Sequence, residues 1–77
     1  MASILGSNLR RLRAAKRPEM TQAELASLSG VSRGTIAEIE RGARTNVETE
    51  TLQRLADALD LSVGDLFDQQ PPAPRGA

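Results

Sequence analysis

The chain has 77 residues, with ten Lys plus Arg against ten Asp plus Glu, one Phe, and no His, Cys, Trp or Tyr. That length suits one small domain with a modest core, and the missing residues exclude a disulfide staple, a Cys/His zinc site, and Cys–His or Ser–His–Asp catalysis. No apolar run approaches the ~20 residues of a membrane span and no basic-then-apolar leader is present, so a soluble cytoplasmic protein is expected; zero net charge also speaks against nucleic acid, whose partners are often basic.

Apolar spacing is helical throughout, and no stretch alternates as a strand does. Leu5, Leu9 and Leu12 stand at i, i+4 and i+7 on a first helix. Pro18 ends it, because the residue before a proline is pushed out of the α region. Thr21 caps a second helix through the capping box Thr21-x-x-Glu24 and the hydrophobic staple Met20–Leu25, with Leu25 and Leu28 on its apolar side. A third follows Ser32, stapled by Val31 and Ile36 and turning Ile36 and Ile39 inward. Leu52, Leu55, Ala56 and Leu59 give a fourth, whose staple Val47–Leu52 puts Glu48, a poor capping residue, at its start. Leu61 and Leu66 bracket Ser62, which with Asp65 imitates a capping box and opens a short fifth helix closed by Leu66 and Phe67. Residues 69–77, QQPPAPRGA, hold no core-forming residues and read as a disordered tail or the start of a linker. The prediction is an all-α, compact five-helix domain over residues 1–68.

The segment QAELASLSGVSRGTIAEIERG, from Gln22 to Gly42, carries the functional signal. Ala26 sits where two steeply crossing helices need a small side chain, and Gly30 where a tight turn needs φ > 0. Ile36 and Ile39, six and nine residues after that glycine, dock the second helix of the pair onto the first. This is the helix-turn-helix pattern. Together with LRRLR and TLQRLADALDLSVGDLF, the segment resembles the DNA-binding domain of the lambda repressor, Cro and xenobiotic-response-element regulator family, over about residues 5 to 67. The resemblance implies a compact five-helix fold and operator binding, usually as a dimer on a two-fold-related site. Two departures stand out. The connection Lys16-Arg17-Pro18-Glu19 is about two residues longer than usual, and Asp60 stands where a glycine often ends helix four, so that an αL cap there would cost stability.

In such a fold the N-terminal half of helix three enters the major groove, which makes Arg33, Gly34, Thr35 and Glu38 the base-contact candidates. A guanidinium at Arg33 can pair bidentately with guanine O6 and N7. Thr35 reads either as a contact to a thymine methyl or a phosphate, or as a β-branched packing residue. Glu38 can accept from cytosine N4, reject wrong sequences, or be a solvated helix face. Gly34 offers no side chain and either admits the groove close to the helix backbone or is neutral. Phosphate contacts are assigned to Gln22, at a helix N-terminus where free N–H groups favour an anion and where the family places a phosphate-contacting Gln, and to Ser32, Arg41, Arg44, Thr45 and Asn46. Arg13 lies about 70° from the centre of the helix-one stripe; relatives commonly pair an Arg there with a Glu late in helix three, which implies a structural ion pair with Glu40. Leu61, Val63, Leu66 and Phe67 are more apolar than so short a helix needs and supply a candidate dimer interface.

The reading is a sequence-specific transcriptional repressor, acting as a homodimer on a double-stranded DNA operator, with no enzymatic activity, cofactor, metal or membrane partner. The alternative is a helical protein-interaction or antitoxin module with weak or no DNA binding of its own, which zero net charge favours. The charges, however, are segregated. Residues 1–44 hold eight basic and four acidic side chains, whereas residues 45–77 hold two basic and six acidic ones. Neutrality is thus a sum over two unlike halves, and the basic half contains the helix-turn-helix.

Overall fold

The computed structural model describes residues 4–44 and 46–68. Four α-helices follow in order, α1 (Ile4–Ala14), α2 (Gln22–Ser29), α3 (Arg33–Glu40) and α4 (Thr49–Ala58), and a 3₁₀ turn spans Gly64–Phe67. The expected fifth helix is that 3₁₀ turn. Asp65 N–H and Leu66 N–H bond back three residues, to Ser62 and Val63, and Asp68 is already extended. A four-residue segment led by glycine has no i+4 partners to propagate an α-helix. The reciprocal Ser62–Asp65 bonds do form, at 3.0 and 3.3 Å. Helix α1 ends at Ala14, ahead of Pro18, where the Arg13 carbonyl accepts from both Lys16 N–H and Met20 N–H. The proposed tail, residues 69–77, lies outside the described residues.

Every element contributes to one core. Leu9, Leu25, Ile36, Ile39, Leu55, Leu59 and Leu66 are all fully buried, and each such side chain stabilises the fold by about 1.5–3 kcal/mol. Helix α3 packs against α1 and α2, α2 packs also against α4, and α1 holds the 3₁₀ turn. Leu28 departs from the expected α2 stripe: it is 65% exposed, so α2 docks through Leu25 with Ala26 beside it. Two close contacts fix how the elements meet. At Gly6 a Cβ would overlap the backbone carbonyl of Ile39 and come within 2.9 Å of that of Glu40, so α1 and the end of α3 touch backbone to backbone. The buried Asn8 amide donates to the carbonyls of Leu66, at 3.0 Å, and Asp68, closing the 3₁₀ turn onto α1.

The caps follow the sequence closely. Thr21 and Glu24 form a reciprocal capping box, and Thr21 N–H with its hydroxyl holds the Glu24 carboxyl below its ordinary value. Ser32 caps α3, while Glu48 provides no side-chain cap for α4. Helix α4 ends in a Schellman motif, with Leu61 N–H to Ala56 at 2.9 Å and Asp60 N–H to Asp57 at 3.1 Å, and Asp60 has φ 60°. The αL position falls on a non-glycine residue, as the sequence suggested. Lys16 Nζ adds a bond to the Leu59 carbonyl at 2.9 Å, which places the lengthened α1–α2 connection against the end of α4.

Arg13 and Glu40 meet in a two-pronged ion pair, with Nε on Oε2 and Nη2 on Oε1, both at 2.9 Å. Their side chains are only 13% and 6% exposed. Arg13 Nη1 also donates to the Met20 carbonyl at 2.8 Å, and Gln22 Nε2 donates to Glu40 Oε1 at 3.1 Å. The hydrogen bonds to Glu40 hold the Arg13 guanidinium above its ordinary value. Removing one leaves the other buried and unpaired, a loss of about 3 kcal/mol. Arg13→Ala and Glu40→Ala should therefore each destabilise strongly, and the double variant by roughly 1–3 kcal/mol less than their sum; additive denaturant-unfolding energies would rule out the coupling. Asp60→Gly should stabilise by about 1 kcal/mol, because glycine takes the αL conformation without the Cβ clash. That raises Tm by roughly 4–8 °C in a domain of this size, and an unchanged or lower Tm would contradict it.

Candidate nucleic-acid interface

The α2–α3 unit is built around its turn. Gly30 has φ 77° and ends α2 with its N–H on the Ala26 carbonyl, a backbone state that a Cβ would strain. The buried Ser29 hydroxyl accepts from Val31 N–H at 3.1 Å, closing the turn internally. Ser32 Oγ accepts from Thr35 N–H at 3.1 Å and donates to Thr35 Oγ1 at 2.8 Å. Ile36 and Ile39 then face the core, and the opposite face of α3 is left to solvent.

On that face the four base-contact candidates are distributed as follows. Arg33 is exposed and forms no ion pair or side-chain hydrogen bond among the described residues. Gly34 has open space where a Cβ would stand, so nothing inside the domain requires a glycine there. Thr35 is half-buried and engaged with Ser32. Glu38 is half-buried and bonded to Arg44, Oε1 to Nη2 at 2.8 Å. That hydrogen bond, and then the charge of Arg44, hold the Glu38 carboxyl below its ordinary value, so it is ionised at neutral pH.

The candidate phosphate contacts surround this face. Gln22 is half-buried at the start of α2, its amide nitrogen held by Glu40. It lines one shallow groove with Arg33 and Thr21, and a second with Arg10 and Arg41. Arg10 was not singled out from the sequence. Its signal is the i, i+3 spacing to Arg13, which puts both on the same side of α1. Arg44 and Asn46 are exposed and share a third groove with Thr35 and Glu48. Thr45 lies outside the described residues. The structure thus brings Gln22, Arg33 and Arg41 together around α3, while Ser32 is absorbed in capping and Arg44 in an ion pair.

Of the four candidate dimer residues, Leu66 is fully buried in the domain's own core and is withdrawn from that set. It serves as the inward half of the Leu61–Leu66 staple. Leu61 and Val63 are half-buried against the same core, and Phe67 is 47% exposed. Among the described residues no group of His, Cys, Asp and Glu could hold a metal ion, and no helix is long and apolar enough to cross a membrane.

Comparison with known proteins agrees with this geometry. A helix-turn-helix family model matches residues 9–66. An uncharacterized HTH-type transcriptional regulator of Sinorhizobium fredii, y4dJ, is 38% identical over 76 residues, which cover 99% of this chain and 95% of that protein. The crystal structure of the restriction-modification controller protein C.AhdI from Aeromonas hydrophila is similar with a TM-score of 0.76 at 41% identity, over 83% of this chain and 92% of that one. With the docked α2–α3 pair and an outward-facing α3 already described, these matches show that the chain belongs to the helix-turn-helix family of DNA-binding transcriptional regulators.

Proposed function

We propose that the chain is a sequence-specific repressor that binds a two-fold-related operator as a homodimer, with the N-terminal half of α3 in the major groove. The observation that carries this reading is the state of Arg33. It is exposed on the first turn of α3, engaged by no other described side chain, and beside the open backbone of Gly34. A guanidinium so placed is available for bidentate pairing with guanine. Thr35 and Glu38 continue the reading face one turn on. Gln22, Arg41, Arg44 and Asn46, with Arg10 added, lie along the flanking sugar–phosphate chains and set the register, and Ser32 contributes its backbone N–H at the start of α3.

Dimerisation draws on Leu61, Val63 and Phe67, where Phe67 supplies the exposed apolar surface. One eight-residue reading helix makes few base contacts, and two linked half-sites multiply them. The likeness to a restriction-modification controller protein supports the same biological setting for this chain among the possible kinds of regulator.

Selection of bound DNA from a random duplex pool tests the reading. A symmetric consensus is the expected result, and no enrichment would overturn it. Arg33→Ala should relax selection at one base position per half-site, by about 1–3 kcal/mol of discrimination; unchanged selection would remove Arg33 from the reading role. Arg41→Ala should weaken all duplexes alike and reduce the log–log salt slope by about 0.9 per protomer. A loss confined to one sequence would contradict the phosphate assignment.

A further inference from the structure

The Glu38–Arg44 pair stands on the solvent side of α3. Gly42, at φ 78°, reverses the chain after α3, and the Glu38 carbonyl then accepts from Ala43 N–H and Arg44 N–H at 2.9 and 3.2 Å. The same residue holds the Arg44 guanidinium through its carboxylate at 2.8 Å. Arg44 is therefore anchored to Glu38 twice, once by backbone and once by charge. The charged link is exposed, with side chains 47% and 40% accessible. Exposed ion pairs are weak, so this link can be exchanged while the backbone link keeps Arg44 in reach.

We propose that the Glu38–Arg44 pair is a specificity filter: closed, it offers a duplex no net charge, and it opens where a cytosine amino group replaces Arg44 as the partner of Glu38, releasing Arg44 to a phosphate. The inference rests on the reading of α3 as the groove-entering helix. Glu38 follows Gly34 and Thr35 on α3 by four and three residues, so it shares their side of the helix. A lone carboxylate facing phosphates is repelled. On a sequence that presents no amino donor, Glu38 keeps Arg44, and the phosphate contact is not made. On a matching sequence the N4 amino group donates to Glu38, and the freed guanidinium pairs with the backbone. Base reading and phosphate anchoring are then gained or lost together, which separates matched from unmatched DNA more than either contact does alone.

The test compares Glu38→Gln with Glu50→Gln. The second substitution removes the same charge from the exposed Glu50–Arg54 pair on α4, which shares no hydrogen bond or ion pair with Glu38 or Arg44 among the described residues. Binding is measured over a range of salt on a random-sequence duplex and on the duplex selected by the unmodified chain. Glu38→Gln should steepen the random-duplex slope by about 0.9 per protomer and tighten that binding roughly eightfold near 0.1 M salt. The selected-to-random affinity ratio should fall by about tenfold, with Tm unchanged. Arg44→Ala, which leaves the carboxylate bare, should weaken both duplexes. If Glu38→Gln leaves the random-duplex slope unaltered, or if Glu50→Gln steepens it equally, the filter is overturned while DNA binding stands. If the unmodified chain shows no salt-dependent duplex binding, the reading of α3 fails and the filter with it.

Discussion

The carboxylate of Glu40 is the constraint around which the α1–α3 arrangement is organised. It is buried at the last turn of α3, where an unpaired charge would be severely destabilising. Arg13 answers it from α1 with two hydrogen bonds and Gln22 from α2 with a third. The same Arg13 reaches the Met20 carbonyl, so the residue entering α2 is held by the cation that fixes the end of α3. Because a guanidinium is planar, its two-pronged contact fixes orientation as well as distance. Gly6 makes this possible by letting α1 approach the α3 backbone without a side chain between them. The C-terminal end of α3 is thereby clamped from two helices, and its N-terminal end projects into solvent.

The same accounting resolves the neutrality of the chain. Within α1–α3 and the loop that follows, Arg13 and Arg44 are matched by Glu40 and Glu38. Arg10, Arg33 and Arg41 remain as exposed cations about the grooves beside Gln22. On α4 the sign reverses, and Arg54 is matched by Glu50. An uneven charge distribution of this kind orients a domain on a polyanion while limiting its overall attraction. For such a surface the attraction to a polyanion depends on where the unmatched cations lie and not on the total alone.

Much of this was legible in the residues. The capping box at Thr21, the cap at Ser32, the αL turn at Gly30 and the strained αL residue Asp60 all depend on local chemistry within a few positions, which sequence displays directly. The 3₁₀ turn is indistinguishable from a helix in the sequence, because the staple and cap spacing of Leu61, Ser62, Asp65 and Leu66 is the same for both. Only the absence of a second turn separates them. The spacing of Leu25 and Leu28 suggests that both face inward, but i, i+3 spacing does not fix the width of the buried stripe on a helix of eight residues. Gly6 and Asn8 gave no signal, since their partners are backbone carbonyls 33 and 58 residues away. Backbone has no sequence signature. Glu38 and Arg44 each read in the sequence as a separate DNA-contact candidate, and only the reversal at Gly42 brings the two side chains together.

Stability is distributed unevenly between α3 and α4. Helix α3 has eight residues and a glycine in its first turn, far below the roughly 12–15 residues at which isolated helices become stable. It is nevertheless closed at both ends, by Ser32 at the start and by the Schellman bonds of Gly42 and Ala43 at the finish. Its buried face is fixed by Ile36, Ile39 and the Arg13–Glu40 pair. Helix α4, by contrast, starts without a side-chain cap and ends on a non-glycine αL residue. Imperfections worth about 1 kcal/mol each thus fall on α4 rather than on α3. A helix held rigid before any contact loses little conformational entropy on docking, so α3 is the element of the pair best prepared for a partner.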